Sequence, residues 1–197
     1  MITPARGDEG NAARATVQRL IDRHGNVGNA SVMQWSSQRR HPTFPDGPSF
    51  IDVLEARNQR YSCVLEIGTA RGMSAIILAH WADVVHTIDI YKSQWIPQIF
   101  IEAGVEGRVF PIVVKDNAEK AKVIKPLVFD MANIDGSHFR PDVRIDFGLT
   151  HHCGLLLFHD YPRAFGNKRD GPGWVLGRQT SGIVTDLRPF AWWEANE

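Results

Sequence analysis

Cysteine is scarce in this chain: Cys63 and Cys153 are the only two in 197 residues, far apart and each beside an apolar run. They read as two buried thiols, which argues against a disulfide scaffold and against a metal–thiolate centre. A surplus of one charge is also lacking, since Lys+Arg and Asp+Glu both number 22. Nucleic acid is therefore not favoured as a partner, and the short basic run Arg39-Arg40-His41 reads as a solvated loop. No apolar stretch reaches membrane-spanning length and no basic-then-apolar leader opens the chain, so the expected setting is cytoplasmic, without a membrane partner. Internal repeats and low-complexity segments are missing too. What remains is an ordinary globular composition, 43% hydrophobic and 22% charged, at a length that fits one sheet-centred domain.

Two regions are expected. Residues 1–48 form an N-terminal helix and loop: Ala13, Val17, Leu20 and Ile21 recur at helical spacing, and Gly25 is placed to end that helix. From Asn26 to Pro48 the chain turns polar and proline-containing, as a long surface loop or a lid would. Residues 49–197 form the main domain. Ser49 caps its first helix, with Asp52 three residues on. Short apolar runs then alternate with helix-length segments: strands at 63–67, 84–90, 109–114, 127–134 and 154–158, and helices at 73–81, 97–104, 117–124 and 141–150. That alternation predicts an α/β, doubly wound, mostly parallel sheet with helices on both faces. At the tail, 183–187 and 190–193 are close enough for an antiparallel pair.

In such a sheet, ligands bind beyond the carboxyl ends of the strands. The five exits carry Glu66-Ile67-Gly68-Thr69-Ala70-Arg71-Gly72-Met73-Ser74, then Asp89, Asp116-Asn117, Asp135-Gly136 and His159-Asp160. Every exit holds an acid. The first turn reads G-x-x-x-G instead of the G-x-G-x-x-G of dinucleotide sites. Glu66 beside it disfavours a pyrophosphate and suits a cofactor with a cationic sulfonium and an α-amino group. Asp89 is placed to accept hydrogen bonds from two ribose hydroxyls, a duty it would also perform for NAD.

From Ser49 to Trp193 these motifs resemble the class I S-adenosylmethionine-dependent methyltransferases. The segments Ile134-Asp135-Gly136-Ser137-His138 and Leu157-Phe158-His159-Asp160-Tyr161 are similar to a bacterial branch near the catechol O-methyltransferases and the macrocin and cephalosporin-pathway methyltransferases. The resemblance implies a Rossmann-like seven-stranded sheet with an antiparallel last strand. It implies that Glu66 and the backbone of Gly68, Thr69, Ala70 and Gly72 hold the methionine part of S-adenosylmethionine, with Ser74 on its carboxylate. Asp89 and the adjacent Ile90 would meet the ribose, Asp116 and Asn117 the adenine, and Asp135 the cofactor's edge. The sequence departs from the family by carrying Cys153-Gly154 where Gly-Gly usually precedes the fifth strand, and His159-Asp160 where the catechol enzymes have Asp-Asn.

Methyl transfer to a hydroxyl of a small-molecule acceptor needs alignment and loss of a proton. Two devices would serve: a divalent cation such as Mg2+, which the resemblance to the catechol enzymes implies on Asp135 and Asp160, or a histidine base, His159 or His138. Plainer roles stand beside these: Asp135 as a turn cap, His138 as a packing residue or cap, and His159 as a backbone partner. Asp142 and Asp146 read as a solvated face paired with Arg140 or Arg144, and His151-His152 as a loop. Tyr91 and Trp95 suit either an adenine stack or core packing, and Trp192-Trp193 suit core and edge positions. The competing functions are an NAD(P)-dependent oxidoreductase, a non-catalytic cofactor-binding protein, and methylation of nitrogen or nucleic acid. A homo-oligomer remains open.

Overall fold

The nine residues Gln59–Ile67 form the strand around which the sheet is built. The computed structural model describes residues 3–24, 49–91, 96–161 and 171–196. The expectations for Gly25, the 26–48 loop, Arg39-Arg40-His41 and Trp95 lie outside them. In chain order the elements are β1 (Thr3–Pro4), α1 (Glu9–His24), α2 (Phe50–Arg57), β2 (Gln59–Ile67), α3 (Met73–Trp81), β3 (Ala82–Asp89), α4 (Ile96–Ala103) and β4 (Val109–Val113). They continue with α5 (Asn117–Ile124), β5 (Met131–Ile134), α6 (Arg140–Thr150), a 3-10 turn at His151–Cys153, β6 (Leu155–Phe158), α7 (Pro172–Leu176), β7 (Gly182–Leu187) and β8 (Phe190–Ala195).

The sheet order is β4-β3-β2-β5-β6-β8-β7, with two-residue β1 paired antiparallel to β2. Strands β4, β3, β2, β5 and β6 are mutually parallel, and β8 runs antiparallel to both β6 and β7. The chain builds outward from β2 to β4, then returns to place β5 and β6 on the other side. The reversal therefore falls between β2 and β5, and a crevice opens beyond their carboxyl ends. Seven strands match the expected sheet. The β1 pairing is an addition, too short to leave a periodic signal.

Alternation along each strand divides the core between the faces. Leu155 and Leu157 pack with α1 to α4, whereas Leu156 and Phe158 pack with α6 and α7. Trp192 and Trp193 split the same way, so both are core residues and neither is an edge. Helix α3 is apolar around its whole circumference, and Ala75 to Ala79 are fully buried. A helix of that kind needs cover on both sides. The sheet supplies one side, and α1, through Ala13, Val17 and Leu20, belongs to the cluster that supplies the other. Each Leu or Ile so buried contributes about 1.5–3 kcal/mol.

The local signals are used as the residue types suggest. Ser49 Oγ accepts from the Asp52 amide at 3.2 Å, and Asp52 Oδ2 accepts from the Ser49 amide at 2.8 Å, a reciprocal cap of α2. The fourth parallel strand starts at Met131, not at Leu127. Val128 is exposed, so the apolar run there is partly a surface approach to the sheet.

Candidate active site

Three backbone positions shape the turn after β2: Gly68 at φ 104°, Ala70 at φ 45° and Gly72 at φ 83°. At Gly68 a Cβ would come within 2.3 Å of the Asp135 carbonyl oxygen. The exits of β2 and β5 touch at that point, and only glycine permits it. At Gly72 a Cβ would come within 2.7 Å of the Phe100 ring, so this glycine also lets α3 and α4 approach. The turn is pinned from the neighbouring strand: the Ala70 amide donates to Asp89 Oδ2 at 2.7 Å and the Tyr91 amide to Asp89 Oδ1 at 3.0 Å. A carboxylate offers about four acceptor positions, so Asp89 keeps two for a ligand.

Glu66 lies beneath the turn and is wholly buried. Thr87 Oγ1 donates to its Oε2 at 2.6 Å, Asn133 Nδ2 to its Oε1 at 3.3 Å, and the Ser74 hydroxyl bonds it as well. Thr69 joins through its hydroxyl contact with Thr87 at 2.6 Å. Burial outweighs these donors, with Asp135 adding repulsion, and pushes the Glu66 carboxyl from 4.5 up to about 7. Glu66 therefore folds more readily protonated. The stability this gives is full below pH 4.5 and is lost as pH rises to about 7. At about 1.4 kcal/mol per pH unit, the loss is about 3 kcal/mol. In Glu66→Gln a neutral amide of the same shape replaces the carboxyl and does not titrate. Its stability advantage over wild type should widen by about 3 kcal/mol across that window in urea titrations. A difference that stays constant with pH would contradict a proton on Glu66.

A cavity of about 570 Å3 occupies the crevice, within the range of about 300–1,000 Å3 usual for cofactor sites. Of the expected ligand-binding residues, Gly68, Ala70, Asp89, Ile90, Asp116, Asn117 and Asp135 line it. Glu66, Thr69, Gly72 and Ser74 do not. All four are buried at or beneath the turn, which they shape. Asp116 also caps α5, accepting from the Glu119 amide at 2.8 Å.

The lining also holds polar residues that the sequence reading did not assign to a ligand: Lys115, Lys120, Ser137 and Asp142. Asp142 is not on a solvated face. Its Oδ2 accepts from Ser137 Oγ at 2.7 Å and its Oδ1 from Asn117 Nδ2 at 3.3 Å. Asp146 is fully buried and ion-paired with Lys120 of α5. Arg140 instead stacks on Trp174, 4.5 Å from the ring centroid. His151 bonds the Phe147 carbonyl at 3.1 Å at the end of α6.

Behind Asp135 the exits of β5 and β6 form a chain of alternating carboxylates and imidazoles. His159 Nδ1 lies 2.8 Å from Asp135 Oδ1, and its Nε2 lies 3.8 Å from Asp160 Oδ1. Asp160 Oδ2 lies 3.4 Å from His138 Nδ1. Asp160 adopts φ 56°, a left-handed conformation that costs a non-glycine residue about 1–3 kcal/mol and here aims the carboxylate between the two rings. The His159 side chain is 8% exposed and that of His138 29%, so the chain runs from the cavity wall toward solvent at His138. This arrangement bears on the expected metal pair, Asp135 and Asp160. An imidazole stands between Asp135 and Asp160, so the two carboxylates do not converge on one cation. Among the described residues no three His, Cys, Asp or Glu side chains are arranged to hold one. Magnesium, which demands oxygen ligands in near-octahedral geometry, does not fit this donor set.

No protein-family model and no curated protein matches the chain. Solved structures do share its fold. A candidate O-methyltransferase of Klebsiella pneumoniae superposes with a TM-score of 0.60 at 15% identity, over 96% of this chain and 90% of that one. An O-methyltransferase of Bacillus cereus in complex with SAH gives 0.58 at 16%, over 95% and 100%. The Streptomyces achromogenes O-methyltransferase involved in tomaymycin synthesis, in complex with SAM, gives 0.52 at 17%, over 100% and 92%. At these identities the likeness establishes the Rossmann-like fold. Among the described residues no helix is long and apolar enough to cross a membrane.

Proposed function

We propose that this protein is an S-adenosylmethionine-dependent methyltransferase acting on a hydroxyl oxygen of a small molecule. The observation that carries the reading is the cavity at the switch point, bounded by the Gly68 turn, Asp89 and Asp135. Solved proteins of the same fold, crystallised with SAM or SAH, support it. The lining suits the cofactor. Ile88 and Val114 offer apolar walls for a purine, and the exposed Ile90 and Tyr91 stand at the rim. Asp89 can accept from a ribose diol. The lining carries Asp89, Asp116, Asp135 and Asp142 against Lys115 and Lys120, and this acidic excess favours a cationic sulfonium over the pyrophosphate of NAD.

When bound, the cofactor supplies a methyl group already activated as a sulfonium. The chain must align the acceptor and take its proton. His138 has the more exposed imidazole, and its Nδ1 faces Asp160. The hydroxyl proton would pass to the imidazole, and Asp160 stabilises the imidazolium that forms. His159 and Asp135 hold Asp160 in place from behind. The balanced charge of the chain supports a small acceptor over a nucleic acid.

Calorimetric titration with S-adenosylhomocysteine tests the cofactor. Radiolabelled methyl transfer to a panel of hydroxylated compounds then tests the chemistry. Binding is expected without metal, with EDTA changing the rate less than about twofold because a histidine takes the proton. Absence of binding would overturn the reading, and loss of rate in EDTA restored by magnesium would replace the histidine base with a cation.

A further inference from the structure

Lys120 is an ammonium only 8% exposed, and its partner Asp146 is wholly buried. Burying such a pair gains little over packing two apolar side chains in its place. The pair joins α5 to α6, but an apolar contact would do that as well. What an apolar contact would not do is place a cation in the cavity wall, where Lys120 lies together with Asp142.

Their hydrogen-bonding capacities are opposite. An ammonium has three donors and no acceptor, and an ionised carboxylate only accepts. Lys120 donates to Asp146, and an ammonium has two further hydrogens to offer from its place in the cavity wall. Asp142 accepts from Asn117 and Ser137, which leaves about two of its four acceptor positions. Adenine presents a matching pair on its Watson–Crick edge: N1 accepts and the 6-amino group donates. Hypoxanthine presents the reverse, a donor at N1 and an acceptor at O6.

We infer that Lys120 and Asp142 read the Watson–Crick edge of an adenine ring, and that Asp146 and Ser137 hold the two readers in position. This rests on the proposed cofactor and adds which face of its base is read and by which side chains. Asp142 was missed in the sequence because an i, i+4 acidic pair on a helix ordinarily faces water, and Lys120 because it is one charge among several on a short polar helix.

S-adenosylhomocysteine and S-inosylhomocysteine differ only at that edge, so the ratio of their dissociation constants by calorimetry is the readout. Wild type should prefer the adenine compound by about 100-fold, since a site built to hydrogen-bond one pattern leaves polar groups unpaired with the other. In K120M the preference should fall to about tenfold or less. In D142N, whose amide can turn a donor toward O6, the inosine compound should gain affinity. Because K120M strands a buried carboxylate, K120M/D146L is measured alongside, and the wild-type ratio needs no variant. Wild type binding both compounds within about threefold, or K120M and K120M/D146L keeping the full preference, overturns this inference while leaving the methyl-donor reading intact. Failure of wild type to bind S-adenosylhomocysteine overturns both.

Discussion

Replacing His138 by alanine should lower kcat by about 10²- to 10⁴-fold, the usual worth of a positioned general base, with S-adenosylhomocysteine affinity unchanged. The two readouts separate because His138 lies outside the cavity lining, on the far side of Asp135 and His159. Asp160→Asn is the companion variant. Asparagine tolerates the left-handed backbone found at this position, so the turn should persist while the imidazole loses its ionic partner. A positioning role predicts a smaller fall in kcat than for His138→Ala, again with KM for the cofactor unmoved. His138→Ala retaining rates within about threefold of wild type would remove histidine from the chemistry. Attention would then turn to the acceptor's own ionisation.

The second large effect falls on binding. Asp89→Ala removes an acceptor for two ribose hydroxyls, and hydrogen bonds to a charged group are worth about 1.5–3 kcal/mol each. At about 1.4 kcal/mol per decade, S-adenosylhomocysteine should bind at least about 100-fold more weakly in calorimetry. The same substitution leaves the Ala70 and Tyr91 amides without their partner. Part of the loss therefore comes from a loosened glycine turn, and a modest drop in Tm should accompany it. Affinity equal to wild type would mean that the ribose sits elsewhere, and the proposed orientation of the cofactor would fall with it.

Much of this molecule was legible before any coordinates. The parallel strands announce themselves because both of their faces are buried, which leaves short apolar runs between helix-length segments. The acids at the strand exits are equally plain, and the structure gathers Asp89, Asp116 and Asp135 around one cavity. Three features were not legible, for one shared reason. Glu66 and Ser74 occupy motif positions that suggest ligand contact, yet their side chains point beneath the turn. Asp142 and Asp146 share a helix face, and helical spacing says nothing about what that face meets. Lys120, one charge among several on a short polar helix, has a role only through α6 packed against it.

Local sequence by itself determined the strand order of appearance, the caps and the glycine turn, because those depend on residues within a few positions of one another. Which carboxylates face the cavity, which lie buried, and how two histidines come to alternate with two aspartates were decided only by tertiary structure. Side-chain direction and burial depend on elements dozens of residues apart, and a carboxylate's chemistry is set by the neighbours that packing brings to it.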